Sequence, residues 1–224
     1  PFYGDYKLSS VVGYSFPPDY NVALFYEENE GRYLFLDNGE LRGLDQVEDA
    51  GQKFSLVDPD KELIFTETSI GEWNDGRNFE KRLIEDMEEV ALGTVNNWCK
   101  AVIVWNLMLD SEKGPFRPGG CNSCFGAVDI DKATYKTIIC NSHYYIIGHL
   151  SSVVKPGAVR IGTSGYTDKE LVYSAFRNAD NSYAFIVLNK SSMPKKINLY
   201  DGEKSFVHEV PAKAVVSYRW LTNK

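Results

Sequence analysis

Residues 61–76 read KELIFTETSIGEWNDG, and this stretch sets the fold class. It begins with a continuous apolar run of the kind that forms a strand covered on both faces. A carboxylate, Glu67, follows at the end of that run, and the chain then turns through Gly, Trp, Asn and Asp residues. Burying a carboxylate is unfavourable unless the group is paired or used. Glu67 therefore marks either an ion pair or a functional site.

Strands and helices alternate beyond this stretch. In residues 79–98 apolar residues recur at spacings of three and four with charges between them, which predicts an amphipathic helix. Residues 101–109, AVIVWNLML, predict a second doubly buried strand, residues 110–126 a Gly/Pro/Cys loop, and residues 133–154 a second long helix. The order strand, helix, strand, helix is typical of a parallel sheet, wound open or closed as a (β/α) barrel.

The sequence changes character after residue 155, where six short alternating strands are predicted between turn signals. Their sequences are AVRIGTS, LVYSAFRN, SYAFIVLN, KKINLYD, SFVHEV and AVVSYRW. We therefore predict a (β/α) barrel part at residues 1–155 and an antiparallel β-sandwich domain at residues 156–224. Within the first part, residues 1–60 are poorly assigned and include a short helix predicted at 41–56. Because six strands leave exposed edges, we expect the sandwich to pack on the barrel part or to recruit N-terminal strands.

The composition excludes several classes of partner. The chain has 31 acidic and 24 basic residues and a net charge of −7, so it offers no basic field for nucleic acid or an anionic membrane. Its apolar runs are far shorter than the roughly 20 residues that a membrane span needs. A neutral carbohydrate ligand fits this charge better, and we expect no cofactor. The chain begins at Pro1 rather than Met, which predicts a processed or cut product.

Three candidate site residues are expected at one edge of the sheet. In parallel α/β barrels the C-terminal ends of the strands converge on the active site. Glu67 stands at such an end, and Trp105 and Asn106 stand at the end of the next strand. A carboxylate beside an aromatic platform and amide donors suits a glycosidase, in which carboxylates act as nucleophile and as acid/base. The alternative is that Glu67 only pairs with an Arg or Lys beside the barrel mouth.

Several separated motifs carry a resemblance to a known family. They are FTETSIGEWNDG, GTVNNW, KAVIVWNLMLDSEKGP, GGCNSCFGAVDID and YYIIGHLSSVVKPGAVRI. In this order and spacing they resemble the C-terminal half of glycoside hydrolase family 30, the family of glucosylceramidases and endo-β-1,6-glucanases. The resemblance covers roughly residues 60–224. The loop pattern GGC-x-x-C-x-G resembles the bacterial and fungal β-1,6-glucanase-like branch more than the animal glucosylceramidases.

The resemblance implies a fold and a set of roles. The fold is the C-terminal part of a (β/α)8 TIM barrel followed by an antiparallel β-sandwich. The implied function is a retaining β-glycosidase acting on β-glucans or β-glucosides, with Glu67 as nucleophile at the end of the seventh barrel strand. Trp105 matches the aromatic wall of the sugar subsite, Asn106 supports the site, and Trp73 shapes the acceptor side, with core packing as the alternative for both tryptophans. A secreted, periplasmic or cell-surface location is also implied.

One requirement of the family is missing from these residues. Retaining hydrolysis needs a second carboxylic acid roughly 5 Å from the nucleophile. In the family that acid lies in an Asn-Glu-Pro motif at the end of the fourth strand, and the motif does not occur in this chain. The alternative is a non-catalytic carbohydrate-binding or supporting fragment of a larger glycosidase, with the missing N-terminal part of the same enzyme as its partner.

A zinc site is a competing interpretation of four residues. Cys121, Cys124, Cys140 and His143 follow the order C-x2-C-x15-C-x2-H, which is close to the spacing of a structural zinc site. The apolar helix predicted around Cys140 and His143 explains a buried cysteine without any metal. By the family resemblance, Cys121 and Cys124 form a tight-loop disulfide or two packed thiols. We therefore predict no metal.

Overall fold

The computed structural model describes residues 63–165 and 168–221, together with two short strands, β1 (Ser10–Val12) and β2 (Ala23–Leu24). The two strands fall in the poorly assigned part of the sequence. The remainder of residues 1–60, including the short helix predicted at 41–56, lies outside the described residues.

Three parallel strands form the centre of the α/β part. β3 (Leu63–Phe65) lies between β1 and β5 (Cys99–Val102) and runs parallel to both, while β2 pairs antiparallel with β1. Leu63 and Phe65 are buried against the helical layer. A helical segment connects β3 to β5, so the predicted strand–helix–strand unit is confirmed.

The segment between β3 and β5, called here the crossover helix, has three parts. An α-helix (Phe79–Glu85) runs into a π-helix (Asp86–Gly93), and a short α-helix (Thr94–Asn96) ends it. The Asn78 side chain caps the first turn by accepting a hydrogen bond from the Lys81 amide. One amphipathic helix was expected. Met87, Val90 and Thr94 of its predicted inner face are buried, whereas Phe79 at its start is 44% exposed, and the middle turns are wider than an α-helix.

The single strand predicted over residues 101–109 is wrong. The strand ends at Val102, and a separate strand, β6 (Met108–Asp110), belongs to another sheet. Between them the carbonyl oxygens of Asn106 and Leu107 accept hydrogen bonds from the amides of Ala127 and Val128. These bonds turn the chain away from β3 and feed it into the next sheet.

The helix predicted over residues 133–154 is also wrong in its first half. The helix spans Ser142–Val153, called here the C-terminal helix, whereas β9 (Ile138–Cys140) pairs antiparallel with β8 (Val128–Ile130). The β-branched Ile138 and Ile139 suit a strand. The backbone of Asn141 is extended, and its side chain donates hydrogen bonds to the Gly126 carbonyl and the Asp129 carboxylate. The helix therefore begins only at Ser142.

The six predicted strands of the C-terminal part are confirmed as an antiparallel β-sandwich. Their bounds are Val159–Ile161 (β10), Leu171–Arg177 (β11), Ser182–Asn189 (β12), Lys195–Tyr200 (β13), Ser205–Val210 (β14) and Ala214–Leu221 (β15). One sheet has the order β10-β11-β12-β15, and the hairpin β13-β14 covers one of its faces. The side chains between these two layers form their own apolar cluster.

The other face of the four-stranded sheet packs on the helices of the α/β part. One core cluster joins Ile186 and Leu188 of β12 to Leu92 of the crossover helix and Ile146 of the C-terminal helix, all fully buried. The Asn178 side chain also donates a hydrogen bond to the Val153 carbonyl at 2.9 Å. The expected packing of the sandwich on the α/β part is confirmed, while the boundary at residues 155/156 stays a prediction.

Among the described residues, no helix has the length and apolar character needed to cross a membrane.

Candidate active site

Glu67 lies just beyond the carboxyl end of β3, beside the continuation of β5. The amide of Ile103 donates to the Phe65 carbonyl at 2.8 Å, and the amide of Trp105 donates to the Thr68 carbonyl at 2.6 Å. Ser69 and Trp105 form an isolated parallel bridge. Glu67 is therefore held between two backbone contacts to the neighbouring strand, and the structure brings it to the same sheet edge as Trp105.

The carboxylate of Glu67 differs from the other carboxylates on the surrounding loops. Glu72 pairs with Lys113, Asp75 with Lys81, and Asp129 with Arg77. Asp110, Glu112 and Asp131 are likewise occupied by amides, a lysine or a hydroxyl. Within the part of the chain that the structure describes, no hydrogen-bond or ion-pair partner is found for the Glu67 side chain. The alternative prediction was an ion pair between Glu67 and an Arg or Lys, and no such residue among those described pairs with it.

Trp105 offers an accessible aromatic face at this edge. Its side chain is 47% exposed, and that of Ile103, two residues earlier, is 52% exposed. The side chains of Val102 and Val104, in contrast, pack on the helical core. Alternation along an extended chain explains this difference, because successive side chains point to opposite faces. The core-packing alternative for Trp105 therefore does not describe its indole in this structure.

Asn106 is turned inward rather than toward solvent. Its backbone carbonyl accepts from the Ala127 amide at 2.9 Å, and its side-chain oxygen is buried without a hydrogen-bond partner among the described residues. A buried acceptor of this kind is costly unless it is satisfied. The buried oxygen distinguishes Asn106 from the exposed Trp105 that precedes it.

Trp73 sits on the loop that follows Glu67 and β4 (Ile70–Gly71), within a 3₁₀ turn at Glu72–Asn74. Its indole packs over Gly71, where an added Cβ would overlap the ring. The Asn74 side chain accepts from the Gly71 amide at 3.0 Å and donates to the Ser69 carbonyl at 3.2 Å. With 38% of Trp73 exposed, the loop presents a second, well-anchored aromatic surface.

A disulfide joins Cys121 to Cys124 in the loop opposite Trp73. This pairing agrees with one of the two states expected for the cysteines, and it removes two of the four ligands that a zinc site would need. Cys140 is a free cysteine in β9 rather than a helical residue. Among the described residues no group of three or more His, Cys, Asp or Glu side chains is arranged to hold a metal ion.

A buried polar cluster beneath the site was not anticipated from the sequence. Asp129 is 1% exposed and accepts from Arg77 and Asn141, each at 2.5 Å, and from the Gly126 amide at 3.0 Å. The guanidinium of Arg77 also lies 4.1 Å from the centre of the Phe125 ring. Arg77 also donates to the Asn141 side-chain oxygen at 3.2 Å. The two bonds of Arg77 join residues 52 and 64 positions apart along the chain, so local patterns carried little signal for them beyond an acidic residue inside the strand VDI.

A second unanticipated cluster lies behind Trp105. Asp86 accepts hydrogen bonds from Arg82 and Ser142, and its carboxylate is 3.8 Å from His143 Nε2. Burial lowers the pKa of His143, and this outweighs the opposing effects of the Asp86 carboxylate and the Trp105 backbone. The imidazole is therefore neutral at pH 7.

These geometries can be compared with those of known proteins. The model for the glycosyl hydrolase family 30 beta sandwich domain matches residues 157–218. A solved structure, the endo-beta1,6-glucanase BT3312, is 61% identical with a TM-score of 0.77, and the match covers 79% of this chain and 39% of that chain. The β-sandwich domain of this chain belongs to glycoside hydrolase family 30. The family expected from the motifs of the sequence is thereby confirmed.

Two further relatives show how far the family match extends. SrfJ from Salmonella typhimurium is 26% identical with a TM-score of 0.70, over 79% of this chain and 38% of that chain. Putative glucosylceramidase 2 of Caenorhabditis elegans is 32% identical over 156 residues, which are 67% of this chain and 29% of the relative. The chain therefore spans less than half the length of each of these relatives.

Proposed function

We propose that this chain supplies the nucleophile side of a retaining β-glycosidase site, with Glu67 as nucleophile. In such a mechanism the carboxylate attacks the anomeric carbon and forms a glycosyl-enzyme intermediate, which water then hydrolyses. Trp105 forms the wall of the sugar subsite, Asn106 supports that segment, and Trp73 shapes the acceptor side. The parallel strands are the last part of a (β/α)8 barrel in this proposal.

The single observation that carries the proposal is the state of the Glu67 carboxylate. It stands at the carboxyl end of a parallel strand, beside the exposed Trp105, and no described residue pairs with it. Carboxylates that serve a structural purpose on these loops each have a partner within hydrogen-bond distance. A carboxylate left unpaired next to an aromatic surface suits attack on a sugar.

We propose a β-glucan, and in particular a β-1,6-linked glucan, as the substrate class. The solved relative at 61% identity is an endo-beta1,6-glucanase, whereas the relative named a glucosylceramidase is 32% identical. The disulfide-closed GGC-x-x-C-x-G loop also follows the glucanase-like pattern seen in the sequence. Both observations favour the glucan over a glucosylceramide.

The second candidate function is a non-catalytic support for a site that is completed elsewhere. The observation that favours it is the commitment of the other loop carboxylates to structural partners, which leaves no described candidate for the general acid. Protonation of the leaving group then depends on a carboxylic acid from an N-terminal part of the same enzyme. The disulfide supports an oxidising location, and we propose a secreted, periplasmic or cell-surface protein.

Covalent labelling tests Glu67 without the missing acid. A 2-fluoro-glucoside with a dinitrophenolate leaving group needs little protonation, so the nucleophile alone can form a stable adduct. We expect intact-mass spectrometry to show one adduct that maps to the peptide containing Glu67. Glu67→Gln abolishes the adduct, whereas the matched Glu112→Gln retains it, because Glu112 pairs with Lys132 on an exposed loop.

The absence of an adduct in a chain that is folded by circular dichroism, while a full-length family 30 glucanase labels normally, favours the support function. An adduct on any residue other than Glu67 overturns the assignment of the nucleophile.

A further inference from the structure

Residues 121–128, called here the bridging segment, contact both of the loops that carry the tryptophans. On one side β7 (Cys124–Phe125) pairs antiparallel with β4, and the Ser123 carbonyl accepts from the Glu72 amide at 3.0 Å. On the other side the amides of Ala127 and Val128 donate to the carbonyls of Asn106 and Leu107 at 2.9 and 3.0 Å. This segment therefore forms a second connection between the Trp73 loop and the Trp105 loop, beside the direct bond from the Trp105 amide to the Thr68 carbonyl.

The two ends of the bridging segment are held in different ways. At its C-terminal end Gly126 is bonded to the buried Asp129, and that carboxylate is tied to Arg77 and Asn141. At its N-terminal end no comparable set of side-chain bonds is found among the described residues, and the residues before it, from Phe116 to Gly120, are exposed. The covalent bond from Cys121 to the buried Cys124 closes this end.

We propose that the Cys121–Cys124 disulfide is a positioning element for sugar binding, whose reduction releases the Trp73 loop. This inference rests on the proposed function of the site. With the disulfide closed, Ser123 is confined to a four-residue ring and its carbonyl stays aimed at the Glu72 amide. With the disulfide open, this end of the segment gains conformational freedom, and the turn that carries Trp73 loses one of the contacts that hold it relative to Trp105.

The redox step is an exchange with a dithiol. A dithiol thiolate attacks the partly exposed Cys121 sulfur, the S–S bond breaks, and the mixed disulfide is resolved by the second thiol of the reductant. The chain gains two electrons and two protons as two cysteine thiols, and the reductant is oxidised to a cyclic disulfide. Dithiothreitol supplies this chemistry in the test.

Hydrogen exchange and ligand binding together test the proposal. The oxidised chain, the dithiothreitol-reduced chain and the double variant Cys121→Ser/Cys124→Ser are compared, with Cys140→Ser as the matched control that loses a thiol but keeps the disulfide. We expect the Glu72 amide to exchange faster in the reduced chain and in the double variant. The Ala127 and Val128 amides, which lie on the side held by Asp129, keep their protection.

Binding of a β-1,6-linked gluco-oligosaccharide gives the functional readout. Freeing one aromatic side chain at a site weakens binding by about threefold to tenfold, and we expect this loss in the reduced chain and the double variant but not in Cys140→Ser. In the reduced chain and the double variant, we expect a higher concentration of 2-fluoro-glucoside for half-maximal labelling of Glu67, with an unchanged labelling rate at saturation. Reduction has no further effect on the double variant.

Two results overturn the proposal while leaving the proposed function intact: an unchanged exchange rate at Glu72 after reduction, or faster exchange with unchanged oligosaccharide affinity. An oxidised chain that neither binds the oligosaccharide nor labels at Glu67 overturns the proposed function, and the role of the disulfide in sugar binding fails with it.

Discussion

The buried pair of Arg82 and Asp86 offers the sharpest test of how the helical layer is stabilised. The side chains are 10% and 1% exposed, and Asp86 also accepts a hydrogen bond from Ser142 in the C-terminal helix. Asp86→Asn keeps the size of the side chain but removes the charge that neutralises the guanidinium. Breaking one side of a buried pair costs about 3–5 kcal/mol, because the other charge stays buried without compensation.

The expected loss lies at the lower end of that range. Arg82 retains a second partner, Glu85, at 2.6 Å, and Glu85 is 39% exposed, so the residual pair is partly screened by solvent. We therefore expect Asp86→Asn to lower the free energy of unfolding by about 3 kcal/mol, which is about a hundredfold in the folding equilibrium constant. Urea unfolding followed by far-ultraviolet circular dichroism measures the change.

Two further variants separate charge from packing in this test. Glu112→Gln breaks the exposed pair with Lys132 and is expected to leave the stability unchanged within error. The double variant Arg82→Met/Asp86→Leu removes both charges and is expected to recover most of the loss. If Asp86→Asn were no more destabilising than Glu112→Gln, the argument that Asp86 neutralises a buried guanidinium would be refuted.

Two further predictions concern glycines and histidines. A Cβ at Gly126 would lie 2.5 Å from the Val128 carbonyl oxygen, so Gly126→Ala forces backbone movement and lowers the melting temperature. A Cβ at Gly148 would have no atom within 4 Å, and Gly148 lies inside the C-terminal helix, so Gly148→Ala is the matched control. We expect this control variant to raise the free energy of unfolding by about 0.5–1 kcal/mol. Burial lowers the pKa of both His143 and His149 below the ordinary 6.5, so the unfolded chain binds more protons and stability falls as pH falls below about 6.5. Melting curves at a series of pH values measure this loss of stability. We expect His143→Gln to make the melting temperature depend less on pH, and an unchanged pH dependence would contradict the role given to His143.

Parts of the fold were accessible from local patterns in the sequence. The apolar run ending at Phe65 and the three-and-four spacing after Phe79 identified a strand and a helix, because each pattern matches the period of one regular structure. The strands of the sandwich were found at nearly the observed bounds, since turn residues punctuate them. The separated motifs identified the family, and they singled out Glu67 and Trp105 as candidates at neighbouring strand ends.

The sequence also misled where distant partners compete for the same residues. Ile138 and Ile139 fit the apolar pattern of a helix, but pairing with Val128–Ile130 makes them a strand. The chain after Val102 reads as a continuing strand, but from Asn106 onward hydrogen bonds to the bridging segment divert it. In both places residues far along the chain decide the outcome, and a pattern read over ten or twenty residues does not contain them.

The sequence by itself determined which local elements form and which residue types stand at their ends. Only the tertiary structure decided that the other loop carboxylates are paired while no described partner meets Glu67, that the disulfide segment contacts both tryptophan loops, and that Asp129 is tied to Arg77. The physical reason is that periodicity and turn chemistry act within a few residues. Hydrogen bonds, ion pairs and disulfides depend on distances in space, and packing sets those distances.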